Sequence, residues 1–224
     1  MPFRNRSEAG RRLAAALAPY RERRPVVLAL PRGGVPVAAE VARTLHAPLD
    51  IILVRKVGVP FQPELAMGAV VDGQAPLIVR NEDVIRLAGV GEADFKVVCD
   101  RELAEIERRR ARYLGNRERA EVGGRVAIVI DDGIATGATT RAALRATRLR
   151  NPAQLVLAVP VAPTESLPAL RADADAVVCL EDYADFGAIG FYYADFRQVS
   201  DEEVIEMLQS LPARGPESTP HSAA

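Results

Sequence analysis

The sequence has little cysteine, little histidine and no tryptophan. Its two cysteines, Cys99 and Cys179, lie far apart in the chain and have no cluster of histidines around them. A disulfide framework needs several cysteines, and a structural zinc site needs cysteines or histidines at close spacing, so neither is indicated. Two unpaired thiols fit a reducing compartment.

Long apolar runs are also missing from the sequence, and neither sign of charge dominates. No run reaches the roughly 20 apolar residues of a membrane-spanning helix. The first twelve residues carry four arginines and no apolar stretch, which is not the pattern of a secretory signal. The formal net charge of -1 gives no bulk attraction to nucleic acid or to an anionic membrane. We therefore expect a cytoplasmic protein with neither nucleic acid nor a membrane as its partner.

What the sequence does contain is the composition of a globular domain. Of its 224 residues, 49% are hydrophobic and 26% are charged, which suffices for one substantial core. We expect a single domain over residues 1–211. The polar, proline-containing segment 212–224 is predicted to be a disordered tail.

Short apolar runs alternate with helical patterns along this domain. Such runs are typical of parallel strands that are covered by helices on both sides. The predicted strands lie at residues 25–30, 49–54, 65–71, 126–130, 154–161 and 176–180. The predicted helices lie at residues 7–20 with Ser7 as N-cap, from the turn at 31–36 to about 45, within 82–121, from Thr140 to about 149, and at 201–211. This order predicts an α/β fold, a parallel sheet flanked by helices on both faces.

Residues 82–121 are predicted to be a charged helical insertion. Apolar residues such as Phe95 and Ile106 share one face of it, and the arginine run 108–110 lies on another. Because glutamates stand beside these arginines and cancel their field, the run is interpreted as a solvated helix face rather than a nucleic-acid patch.

The segment that follows the strand at 126–130 indicates a phosphate-bearing ligand. Asp131 and Asp132 come where a buried strand ends, at the edge where open α/β sheets bind ligands. The small and hydroxyl-bearing residues 136–140 then lead into a helix, whose free N–H groups and positive dipole end suit a phosphate. The carboxylates suit hydroxyl groups or a metal nearby. Together these features describe a ribose 5-phosphate.

Residues 129–139 resemble the phosphoribosyl pyrophosphate (PRPP) motif of the type I phosphoribosyltransferases. The resemblance implies that Asp131 and Asp132 hold the ribose hydroxyls and that the following loop holds the 5′-phosphate. The implied PRPP-binding residues are Asp131, Asp132, Gly133, Ala135, Thr136, Gly137, Ala138, Thr139 and Thr140. The alternative is a strand that ends in a hydroxyl-rich helix cap with no ligand.

Two further segments match the order of sites in this family. Arg32, Gly33 and Gly34 follow the first strand, where the family has its pyrophosphate loop, often with a cis peptide bond. Arg55 and Lys56 follow the second strand, where the family has a mobile loop that closes over the reacting centre. The resemblance implies that these five residues bind pyrophosphate, whereas an ordinary turn and two surface cations are the alternatives.

The residues give less information about the acceptor of a transfer reaction. In family members that act on hypoxanthine or guanine, an acidic residue serves as general base at the position of Ala135, so 6-oxopurines are disfavoured. Acceptors such as orotate, adenine and uracil stay open. Residues 176–200 are the candidate hood and acceptor segment, in which Phe186 or Phe191 would stack on a planar heterocycle. Equally, these rings would fill the core or a dimer interface.

The resemblance thus implies a phosphoribosyltransferase that uses PRPP and Mg²⁺, transfers the phosphoribosyl group to a nucleobase-like nitrogen acceptor and releases pyrophosphate. Its implied catalytic residues are Arg32, Lys56, Asp131 and Asp132, and Mg²⁺ is held by PRPP rather than by protein ligands. A homodimer is expected from the family. The alternative function is a PRPP-sensing regulatory protein of the same fold that has no transferase turnover.

Overall fold

The computed structural model describes residues 2–73 and 76–213, which form eight strands and seven α-helices. The strands are β1 (Val26–Ala29), β2 (Leu49–Ile51), β3 (Val54–Val59), β4 (Gln62–Val71), β5 (Leu77–Arg80), β6 (Val126–Ile130), β7 (Gln154–Pro163) and β8 (Ala176–Tyr183). The helices are α1 (Arg6–Ala16), α2 (Gly34–Leu45), α3 (Glu82–Leu87), α4 (Glu92–Leu114), α5 (Ala138–Arg148), α6 (Leu167–Asp173) and α7 (Asp201–Gln209). Short 3₁₀ helices lie at Ala18–Arg23, Thr164–Ser166 and Ile189–Tyr192.

Five strands form the predicted parallel sheet, in the order β2-β1-β6-β7-β8. The central strand β6 pairs with β1 on one side, where Leu28 is level with Val129, and with β7 on the other. Every residue of β6 is buried, as the continuous apolar run predicted. Since β1 and β6 are parallel neighbours, the loops that follow them leave the sheet at the same edge.

Helices cover both faces of this sheet, which confirms the predicted fold class. Ile128 and Ile130 of β6 belong to one apolar cluster with α1, α2, α4 and α7. Their neighbours Ala127 and Val129 point to the opposite face and join a second cluster with α5 and α6. Alternation along a strand explains this division, because successive side chains lie on opposite faces.

A second, antiparallel sheet has the order β3-β4-β5 and supplies the predicted small hood. The prediction of one strand at 49–54 was wrong in its end, because β2 stops at Ile51 and Val54 already belongs to β3. Residues 54–59 are likewise a strand instead of a loop. They pair with β4 through a turn at residues 60–61, so the chain reverses on itself. The segment 176–200, expected as hood, begins as the edge strand β8 of the main sheet.

The predicted helical insertion is present as α3 and α4. α4 packs against β3, β4 and α7, and it ends at Gly115, whose φ of 51° does not continue a helix. Residues 115–121 are therefore not helical, contrary to the prediction for 82–121. Across the described ranges, no helix combines the length and the apolar character that crossing a bilayer requires.

The two ends of the domain differ in detail from the prediction. The N-cap of α1 is Asn5 rather than Ser7, because the Asn5 side chain accepts a hydrogen bond from the Glu8 N–H at 2.9 Å. At the other end, the Pro212 carbonyl accepts a 3.0 Å hydrogen bond from the Leu49 N–H, so the predicted disordered tail does not begin there. Residues 214–224 of that tail lie outside the described residues.

We expect Ile128→Ala to lower the free energy of unfolding by about 2–5 kcal/mol, because it leaves a cavity in a fully buried strand. Urea unfolding followed by circular dichroism measures the change. Val97→Ala, at a position 68% exposed, is the control and should change stability by less than about 0.5 kcal/mol. Equal small losses in both variants would contradict the central place of β6.

Candidate active site

The candidate site lies where the loops after β1 and β6 meet. The Leu30 N–H donates to the Ile130 carbonyl at 2.9 Å, which joins the two strand ends. At Gly34 an added Cβ would stand 2.8 Å from that same carbonyl oxygen and 3.0 Å from the Asp131 Cα. A glycine is therefore required at this position for the two loops to approach so closely.

The two adjacent carboxylates have different surroundings. Asp131 is partly exposed, and its Oδ1 accepts a 2.8 Å hydrogen bond from the Asp132 N–H. Asp132 is only 7% exposed, and its Oδ2 accepts a 2.7 Å hydrogen bond from Arg6 Nε. Burial raises the pKa of Asp131 well above its usual range, and the charge of Asp132 raises it further. The pair thus combines one carboxylate that is fixed by an ion pair with one that holds its proton more tightly.

Arg6 and Tyr193 are site residues that the sequence analysis missed. The Tyr193 hydroxyl donates to the Asp132 carbonyl at 2.5 Å, and its ring lies 5.4 Å from that of Phe3. No local pattern marks either residue, since each reaches the site through contacts between distant parts of the chain. The signals that the sequence offered were an arginine-rich N-terminus and an aromatic-rich segment near residue 190.

The first turn of α5 has the form that suits a phosphate. Gly137 precedes it with a φ of 75°, and within the described residues no side chain caps the helix. Its first N–H groups therefore lack intrahelical and side-chain acceptors. Thr136, Ala138 and Thr139 are exposed at this end, as is Ala135.

Two members of the predicted PRPP motif have packing roles in this structure. Thr140 is only 2% exposed, so its side chain lies inside the domain. Gly133 is buried, and an added Cβ would stand 2.7 Å from Ile189 and 3.0 Å from Val161. Gly133 therefore brings the 3₁₀ turn at Ile189–Tyr192 against the loop that carries the two aspartates.

The loop after β1 places Arg32 beside a second cluster of charges. The Pro31–Arg32 peptide bond is cis, at the position where the resemblance predicted such a bond. Arg32 Nη1 lies 3.7 Å from Asp201 Oδ1, whose other oxygen lies 2.8 Å from Arg112 Nη1. Tyr113 donates to Asp201 at 2.6 Å, and burial together with this hydrogen bond raises the pKa of Tyr113 to about 12. Helices α4 and α7 thus bring further charges to the edge that holds Arg32.

Arg55 and Lys56 lie on the hairpin of β3 and β4. Arg55 Nη2 forms a 2.8 Å ion pair with Glu102, a buried residue of α4. Lys56 Nζ lies 3.1 Å from Glu64 across the hairpin, where both side chains are exposed. Arg55 is therefore anchored to α4, whereas the exposed pair of Lys56 contributes little stability and is readily exchanged for another partner.

The two predicted stacking residues have different environments. Phe186 stacks on Tyr192 with ring centroids 4.8 Å apart, and Tyr192 in turn stacks on Tyr183. Phe191 is 77% exposed. The segment stands close to the aspartates through Ile189. Of the two rings, Phe191 is the one with a free face.

Comparison with known families decides the relationship of this chain. The model of the phosphoribosyl transferase domain matches residues 4–195. The chain belongs to this family. The match begins just before α1 and ends just after Tyr193, so this phosphoribosyl transferase domain includes Arg6, the two aspartates and Phe191, whereas α7 lies beyond the match.

Relatives support the same assignment. Two proteins of Mycobacterium tuberculosis, from strains CDC 1551 / Oshkosh and ATCC 25618 / H37Rv, are 47% identical over 206 residues and carry a provisional phosphoribosyl transferase name. The match covers 92% of this chain but 46% of each relative, so the chain spans about half their length. The crystal structure of the protein TT1426 from Thermus thermophilus is 43% identical, with a TM-score of 0.82 over 95% of this phosphoribosyl transferase domain and 100% of that chain.

Gly33→Ala tests the contact between the two loops. Gly33 has helical dihedrals, φ -60° and ψ -36°, which alanine also adopts, but the new Cβ would stand 2.0 Å from Asp132 Oδ2. We expect a loss of about 1–3 kcal/mol in the free energy of unfolding, since the carboxylate must move. Gly123→Ala, whose Cβ would have its nearest contact at 3.7 Å, is the matched control for urea unfolding. A fully stable Gly33→Ala protein would contradict this packing of Asp132.

Proposed function

We propose that this domain transfers the 5-phosphoribosyl group of PRPP to a nitrogen atom of a planar heterocycle and releases pyrophosphate. One observation carries the proposal. A pair of carboxylates, the uncapped N-terminus of α5 and the loop that holds Arg32 all meet at one edge of the sheet. This edge is where parallel α/β sheets bind their ligands.

The 5′-phosphate would bind at the first turn of α5. The free N–H groups and the positive end of the helix dipole suit a dianion, and the exposed hydroxyls of Thr136 and Thr139 supply further donors. Asp131 and Asp132 precede this turn on the same loop. They would accept hydrogen bonds from the ribose hydroxyls, and Asp131 is the more exposed of the two.

Pyrophosphate would bind at the β1–α2 loop. Arg32 is one-third exposed at its side chain, and its ion pair to Asp201 is long at 3.7 Å, so an anion with two phosphates competes well for it. The neighbouring arginine, Arg112, adds positive charge from α4. Lys56, on the exposed hairpin, would reach the leaving group when the hairpin closes over the edge.

Magnesium would arrive bound to PRPP. Within the described parts of the chain, no three histidine, cysteine, aspartate or glutamate side chains converge on one point. The acidic side chain that the candidate site exposes is that of Asp131, which fits an ion whose other ligands are pyrophosphate and ribose oxygens. When bound, magnesium supplies positive charge to the departing pyrophosphate.

The chemistry then asks the chain to orient its substrates rather than to transfer protons. The ribose C1–O bond breaks, pyrophosphate leaves with the bonding electrons, and the lone pair of the acceptor nitrogen forms the new C1–N bond. Arg32 would stabilise the departing charge, and the aspartates would hold C1 towards the acceptor. Because Ala135 offers no base, the acceptor proton would leave to solvent, which favours acceptors other than 6-oxopurines. Phe191, with its exposed ring, would stack on the heterocycle.

Pyrophosphate release from PRPP and Mg²⁺, measured over a panel of nucleobases and small nitrogen heterocycles, tests the proposal. We expect release with one class of acceptor. Asp132→Asn should weaken PRPP binding by one to two orders of magnitude, about 1.4–2.8 kcal/mol, because an amide accepts fewer hydroxyl donors. Asp94→Asn, an exposed position on α4, is the control. Calorimetry that finds PRPP bound but no release with any acceptor would instead favour a PRPP-sensing regulator.

Lys56→Ala tests the role of the hairpin. We expect turnover to fall at least about tenfold while the PRPP dissociation constant changes less than about threefold, because the hairpin contacts the leaving group mainly in the transition state. Lys96→Ala removes the other lysine of the sequence, which pairs with Asp100 on the surface of α4, and should leave both quantities unchanged. An equal loss of affinity and turnover in Lys56→Ala would show that Lys56 binds the ground state.

A further inference from the structure

Arg6 is held in the candidate site by three contacts. Its Nε donates to Asp132 Oδ2 at 2.7 Å, and its Nη1 donates to the Arg197 carbonyl at 2.8 Å. The guanidinium carbon lies 3.9 Å from the centroid of the Phe196 ring, a cation–π contact. The Arg6 and Asp132 side chains are each 11% exposed. An arginine with this many partners has one orientation.

The backbone around Arg6 is fixed as firmly as its side chain. The Phe3 N–H donates to the Tyr192 carbonyl at 2.8 Å, and the Ala194 N–H donates back to the Phe3 carbonyl at 2.7 Å. Asn5 caps α1 one residue before Arg6. The N-terminal segment therefore pairs with residues 192–195 and delivers Arg6 to the loop after β6.

Asp132 is enclosed on every side that the described residues define. Arg6 holds its Oδ2, and Gly33 of the neighbouring loop leaves no room for a Cβ beside that oxygen. Tyr193 donates to its carbonyl. Burial and the charge of Asp132 raise the pKa of Tyr193, so its hydroxyl stays a neutral donor. Two carboxylates in adjacent positions would repel each other at this edge, and the positive charge of Arg6 offsets that repulsion.

We propose that Arg6 is a positioning residue of the candidate ribose site, which fixes the Asp132 carboxylate and supplies the charge that allows Asp131 and Asp132 to act as a pair. The inference rests on the proposed function for the identity of the ligand. Arg6 acts through Asp132, because its other contacts described above are to Arg197 and Phe196 of the segment that closes the domain.

The first test follows the side-chain carboxyl carbons of Asp131 and Asp132 by NMR as pH is changed, in the absence of any ligand. The titrating or charged groups that face this pair are Arg6 and Glu8 from α1 and Tyr193 from the segment after the last 3₁₀ turn. Since the charge of Arg6 lowers the pKa of Asp131, Arg6→Gln should move the titration of Asp131 to higher pH. Arg11→Gln, which removes an exposed arginine from the same helix, should leave it in place. Identical titrations in the wild type and Arg6→Gln would overturn the inference.

The second test measures the PRPP dissociation constant by calorimetry across pH in the same proteins and in Arg6→Lys. We expect Arg6→Gln to bind PRPP at least about tenfold more weakly at neutral pH, because a misplaced carboxylate loses its hydroxyl partners. Its affinity should also fall with decreasing pH from a higher starting point, since a neutral carboxyl accepts fewer hydrogen bonds. Arg6→Lys, which keeps the charge but loses the Arg197 and Phe196 contacts, should lie between.

The outcomes separate the inference from the function on which it rests. If the wild type binds PRPP and Arg6→Gln binds it equally or more tightly, Arg6 does not position the site and the inference fails while the function stands. If the wild type does not bind PRPP, the proposed function fails, and the carboxyl titration still decides whether Arg6 sets the charge of the pair. Far-ultraviolet circular dichroism checks that each variant is folded, and Arg6→Lys serves if Arg6→Gln is not.

Discussion

The parallel pairing of β1 with β6 is the constraint on which the candidate site depends. It brings two loops that are far apart in the sequence to the same edge of the sheet, one with Arg32 and the other with the two aspartates. The hydrogen bond from Leu30 to Ile130 fixes the separation of these loops, and Gly33 and Gly34 make that separation tolerable. Any change in the register of this pair would move every group of the site at once.

Charge balance at this edge is arranged in two layers. Asp132 is neutralised by Arg6 from the N-terminus, and Asp201 of α7 is held by Arg112 and by the hydroxyl of Tyr113. Asp131 and Arg32 are left as the more available members of each layer, one acidic and one basic. A substrate with hydroxyl groups at one end and phosphates at the other matches this division. The supporting residues come from elements far outside the motif.

The sequence predicted the parts of this architecture that depend on local pattern. Continuous apolar runs marked the strands of the main sheet, and the two aspartates with the glycine at 137 marked the edge where a ligand would bind. The hairpin at residues 54–71 was not recognised as a separate sheet. Its residues have strand character in either sheet, and the turn at 60–61 decides the pairing. Residue roles within the motif remain predictions, since the structure shows Thr140 and Gly133 buried and Phe186 stacked on another ring.

The contact between Arg6 and Asp132 joins residues 126 positions apart, and that of Phe3 with Tyr193 spans more still. Contacts of such large sequence separation carry a high loop-closure entropy, so we expect them to form after the local elements and the central strands have assembled. A chain synthesised from its N-terminus would hold Arg6 in solution until the ribosome had released residues 193–197. The site would therefore be the last part of the domain to become complete, and ligand binding would report on chains that have finished folding.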